Sequence, residues 1–155
     1  MNWFVNNREV IRNLAINTGT SDTPVYTTMC CTSEVEVTTD FEVKDFYTFC
    51  NALQHSVVTG AAVGLNTTVK LDINNAAVQE IISKIHTLLA SGEVAQFNNQ
   101  KIQYKLITGE SSGVLTYTTY TVDATLIFSD LGGAAEDEGE FGLEIKFNGV
   151  STASV

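Results

Sequence analysis

Two spacings of apolar residues divide this chain. Over residues 74–90, Val78, Ile81, Ile82, Ile85, Leu88 and Leu89 recur three and four positions apart, which gathers them on one stripe of a helix, while Gln79, Glu80, Lys84 and His86 fall elsewhere. Asn74 and Asn75 can accept hydrogen bonds from the N–H groups of a first turn, and Gly92 can take the left-handed conformation that ends a helix. Ordering the backbone costs about 1–2 kcal/mol per residue, so the helix needs a large apolar partner surface.

The rest alternates with a period of two, the signature of strands with one buried face. Val25, Tyr26, Thr27 and Thr28 open a first strand. Val35 and Val37 alternate with Glu34 and Glu36, giving one apolar and one acidic face. Leu65, Thr67, Val69, Leu71 and Ile73 alternate with Asn66, Thr68, Lys70 and Asp72; Ile102, Tyr104 and Leu106 alternate with Lys101, Gln103 and Lys105. Val122, Ala124, Leu126 and Phe128 are expected inward, with Thr119, Thr121, Asp123 and Thr125 outward. After a glycine-rich acidic turn, Phe141, Leu143, Ile145 and Phe147 alternate with Gly142, Glu144, Lys146 and Asn148, and the last two strands should form a hairpin.

Two stretches break the pattern. Residues 1–24 hold the only two arginines and end in TGTSDTP, so they read as an arm with little core of its own. Residues 40–64 read as a long, partly apolar excursion, too rich in Phe41, Phe46, Tyr47, Phe49, Leu53 and Val57 for an ordinary exposed loop; such a patch marks an interface. The fold class is therefore mainly β, α+β by count: a β-sandwich or rolled antiparallel sheets with one flanking α-helix. A chain of 155 residues makes one such domain, here residues 25–150, between the N-terminal arm and a C-terminal tail of residues 151–155.

Charge narrows the function. The net charge is -10, and the eight basic residues are scattered along the sequence, so the chain should repel nucleic acid rather than hold it. Three cysteines, Cys30, Cys31 and Cys50, make a poor disulfide framework and read as core thiols in a reducing compartment. The first ten residues lack the basic and apolar segments of an export signal, and no stretch reaches the length of a membrane span.

Catalytic chemistry finds little support. His86 falls on the polar side of the helix, and His55 near Cys50 is the one thiol–imidazole arrangement, a remote enzyme reading. Glu136, Asp137, Glu138 and Glu140 do not follow the spacing of a calcium loop and read as a solvated turn. Asn66-Thr67-Thr68 matches a glycosylation sequon inside an expected strand, an accidental match. No catalytic residue, metal ligand or cofactor is expected.

The order of segments resembles the major tail proteins, or tail tube proteins, of tailed bacteriophages: a long apolar excursion from DFYTFCNALQHSVVTG, a strand entering one helix, then strands closing on SDLGGAAEDEGEFGLEIKFNG. The resemblance spans about residues 25–150 and implies a tail-tube-like fold and a virion protein made in the cytoplasm of the bacterial host. It implies subunits that assemble into hexameric rings, stacked as a hollow conduit through which DNA passes without tight binding. Its implied partners are copies of itself, with the tape-measure, tail terminator and distal tail proteins, and no membrane. Candidates for the lumen lining are Glu34, Glu36, Asp123 and Glu144. Candidates for contacts between subunits or rings are Phe46, Tyr47, Phe49 and Leu53.

Two other readings remain open at this stage. A tube subunit of a contractile, phage-tail-like injection particle would share the fold and add a sheath partner. A β-sandwich that binds a small ligand would need an aromatic-lined concave site and would stay monomeric.

Overall fold

The computed structural model describes residues 4–30, 32–48 and 51–154. A short helix α1 (Asn7–Val10) leads into β1 (Ile11–Asn17) and β2 (Tyr26–Thr28). Two long strands follow, β3 (Thr32–Thr48) and β4 (Asn51–Lys70), then helix α2 (Ala76–Ser91) and one 3-10 turn at Ala95–Phe97. β5 (Gln100–Ser111), β6 (Val114–Ser129), β7 (Glu140–Phe147) and β8 (Thr152–Ser154) complete the chain. All neighbouring strands pair antiparallel in one eight-stranded sheet of order β2-β1-β5-β6-β7-β4-β3, with β8 on β6. The expected mainly-β, helix-flanked architecture thus takes the form of one continuous sheet.

Alternation decides which sheet face is buried. Leu65, Ile145 and Leu126 are cross-strand partners on β4, β7 and β6, and all three are buried. Ile102 and Val122 extend that face to β5, and Ile16 to β1. Ala77, Val78, Ile81 and Ile85 of α2 join the same apolar cluster, with Phe97 of the 3-10 turn. Strands from both ends of the sheet meet in this one core, so the sheet rolls about the helix.

Both helix ends follow from the sequence. Asn75 is the N-cap, its Oδ1 accepting from the N–H groups of Ala77 and Val78 at 3.1 and 3.2 Å. Its Nδ2 donates to the carbonyl of Thr28 at 3.0 Å, which ties the helix start to the end of β2. Gly92 closes the helix at φ 71°, a left-handed conformation natural to glycine. Ile82 and Leu88 are partly buried against the core. Leu89, expected on the core face, is 76% exposed: the stripe is narrower than six residues, and Ala77 fills the close approach instead.

Two further expectations change. The stretch expected to be an arm supplies β1, a strand that pairs with β5 and, at Ala15–Asn17, with β2, and its Ile11, Leu14, Ala15 and Ile16 are buried. An irregularity between Arg12 and Ala15, with Asn13 at φ 52°, breaks the alternation that would have revealed it. At the other end of the alternating run 65–73, Leu71 and Ile73 lie beyond β4 and are exposed. Among the described residues no helix is long and apolar enough to cross a membrane.

Candidate functional site

The face opposite the core is polar, and the sheet register gathers charges on it. Glu36 pairs with Asn66, Asn66 with Glu144, and Glu144 with Ile127. Directly paired residues point to the same side, and so do positions two apart on a strand. Glu34, two residues before Glu36, and Asp123, four before Ile127, therefore share this face: all four lumen candidates stand on one side of the sheet. Glu34, Glu36, Asn66, Ser129 and Glu144 line one shallow, open depression. Asp123 pairs with Lys101 at 3.3 Å and Glu144 with Lys146 at 3.9 Å, whereas Glu34 and Glu36 have no cationic partner among the described residues.

Basic residues scattered in sequence are brought together at the far end of that face. Arg12 of β1 stands directly across from Lys105 of β5, a like-charge pair. Arg12 reaches Glu9 at 3.6 Å and lies over the Tyr117 ring at 5.6 Å, while Tyr117 Oη donates to the Glu9 carbonyl. Among the described residues Lys105 makes no ion pair. The face is thus acidic on β3, with Glu144 of β7 beside it, and basic on β1 and β5, a separation that linear sequence conceals because only strand pairing creates it.

The apolar excursion is a two-stranded arm rather than a loop. β4 pairs with β7 only from Gly64 onward; beyond Thr39 and Val63, β3 and β4 pair with each other alone, out to Thr48 and Asn51. One extra residue, Thr59, interrupts the register opposite Glu42 and Val43, and its Oγ1 donates to the Glu42 carbonyl at 3.2 Å. Tyr47 and Leu53 are 69% and 72% exposed, and Phe46 stacks on His55 with ring centres 5.5 Å apart. Phe49 lies outside the described residues, as do Trp3, Cys31 and Cys50.

The arm's apolar face carries Phe41, one of the aromatic residues of the apolar excursion, together with Val43 and Val58, which the contact candidates did not include. Phe41 pairs with Ala61 and Val43 with Val58, on the side that continues from Val35, Val37 and Leu65. Phe41, Val43 and Val58 are all exposed. The signal is present in the sequence: the odd-numbered alternation of Val35 and Val37 runs on through Phe41 and Val43, inside the stretch expected to break the pattern.

Other chemistry is sparse. Cys30, expected as a core thiol, is exposed, its Sγ accepting from Asn75 Nδ2 at 3.1 Å. In the acidic turn, Glu140 accepts a hydrogen bond from Lys70; that bond, with Asp137 and Glu138 nearby, holds the Lys70 ammonium above its ordinary pKa. His86 is exposed on α2.

No protein-family model matches this sequence, and no curated protein matches it. Solved structures that share the fold include two chains of gene transfer agent particles. One is a chain in the virion of a native gene transfer agent particle, at 10% identity and a TM-score of 0.54, over 92% of this chain and 96% of that one. The other is a chain in the tail of an empty gene transfer agent particle, computed with helical refinement in C6 symmetry, at 11% identity and a TM-score of 0.55, with the same coverage. The likeness spans nearly the whole of each chain and supports a tail-tube-like fold.

Proposed function

We propose that this chain is a structural subunit of a bacteriophage-type tail tube, self-assembling into stacked hexameric rings around a conduit for DNA. The observation that carries this reading is the shared fold with a chain built into a tail of C6 symmetry. The reading places the subunit in the virion tail, with a role in assembly rather than catalysis and with tape-measure, terminator and distal tail proteins at its ends.

The polar face suits a bore. Its acidic part carries Glu34, Glu36, Asp123 and Glu144, so phosphates passing it meet like charge. The apolar arm suits contact between subunits, because an exposed two-stranded ribbon is marginal in water and gains stability by burial against a neighbour. Phe46, Tyr47 and Leu53 would then be covered on assembly.

Negative-stain electron microscopy of the purified protein at rising concentration, with light scattering on the same samples, tests the reading. Hollow tubes or six-fold rings are expected. A monomer at every concentration, with or without a phage-tail initiator complex, overturns it.

A further inference from the structure

We infer that neighbouring copies of this chain join head to tail through charge, the acidic β3 edge of one copy meeting the basic β1–β5 end of the next. This rests on the tube reading and adds the polarity of its contacts. β3 ends the sheet order and pairs only with β4 among the described strands, leaving one edge of a seventeen-residue strand open. An open edge of that length invites another chain to pair with it.

Charge selects which partner can do so. If β3 paired with its own copy about a two-fold centred on Thr38, Glu34 would face Glu42 and Glu36 would face Asp40. Every such cross-strand pair is acidic, and like charges directly opposite are unfavourable. That symmetrical register is therefore disfavoured by the strand's own sequence.

The opposite end of the sheet has the complementary need. Arg12 and Lys105 face each other, and at Ile11 and Arg12 the strand β1 pairs only with β5, because β2 covers β1 from Ala15 to Asn17. Arg8 is exposed on the adjoining helix α1, with Glu9 shared between Arg8 and Arg12 at 3.7 and 3.6 Å. Carboxylates from a neighbour would relieve this crowding of cations, and Glu34 and Glu36 lack cations of their own. A contact between two different patches repeats around a ring or along a stack and never closes as a dimer.

Two charge-reversed full-length proteins test the contact: Glu34→Lys with Glu36→Lys, and Arg8→Glu with Lys105→Glu. Each alone presents like charge at both patches, so each is expected to lose assembly while keeping the wild-type circular dichroism melt. Mixed in equal amounts they present opposite charges at every contact, and tubes return. Wild-type assembly should also recede as salt rises, through screening. Glu34→Gln with Glu36→Gln should raise the concentration for half-assembly about tenfold, as the loss of two partly exposed ion pairs implies.

Reversed proteins that assemble as the wild type does, or folded ones whose mixture stays monomeric, overturn the contact and leave the tube reading standing. Should a reversed protein fail to fold, the glutamine pair and the salt series decide, and salt-independent wild-type assembly overturns the contact. A wild type that never assembles overturns the tube reading itself.

Discussion

Gly64 lies so close to the carbonyl oxygen of Ile145 that a Cβ there would collide with it, and Thr38 Oγ1 would stand 3.3 Å away on another side. Gly64 is also where β4 leaves its pairing with β7, so the close approach fixes the root of the arm. Gly64→Ala is expected to destabilise the monomer by about 1–3 kcal/mol, the usual cost of overpacking. Urea denaturation followed by circular dichroism would show a lower midpoint with an unchanged slope; an unchanged midpoint would mean the backbone yields there.

Sequence periodicity exposed the elements whose neighbours lie on one simple face. α2 was legible because Asn75 and Gly92 mark its ends and its core contacts follow the 3.6-residue repeat. β7 was legible because Phe141, Leu143 and Ile145 alternate without interruption. β1 was hidden by its irregularity at Asn13, and the arm by exposed apolar residues on a ribbon that has no core of its own. Each of the four acidic candidates is legible only within its own strand. Their presence on one face, and the basic cluster across it, depend on the pairing of distant strands, which no local pattern encodes.

Thr67 is buried between Leu143 and Val35, its cross-strand partners on β7 and β3. Among the described residues its Oγ1 has no hydrogen-bond partner. A buried polar group without a partner costs about 1–3 kcal/mol, so Thr67→Val should stabilise the fold by about 1 kcal/mol and raise the melting temperature by about 2–4 °C. A lower melting temperature would show that the hydroxyl is satisfied in solution.

Burial raises the pKa of Tyr104, while its hydrogen bond with Ser151 at 2.8 Å opposes the shift. The ring also stacks against Tyr120 and Phe147, each at 5.6 Å. Because the folded protein holds this proton more tightly than the unfolded chain, the associated stability is complete below the ordinary tyrosine pKa. It is lost as pH rises through the raised one. Tyr104→Phe should flatten the alkaline fall in melting temperature, and phenolate absorbance should show one tyrosine fewer among the late-titrating groups. An unaltered alkaline limb would assign that fall to other residues.

Phe41 and Val43 project from the arm's apolar face opposite Ala61 and Val58, outside the core cluster. Their replacement therefore separates assembly from folding. Surface substitutions away from packed features usually change stability by no more than about 0.5 kcal/mol, so Phe41→Ser with Val43→Ser should leave the urea midpoint close to wild type. If this face is buried against a neighbouring subunit, the same change removes roughly 1.5–3 kcal/mol of burial per side chain at every contact and should abolish tubes at concentrations where the wild type forms them. Normal tubes from this variant would locate the contact on the opposite face of the arm, where Phe46 stacks on His55, and Phe46→Ala would then become the variant that blocks assembly.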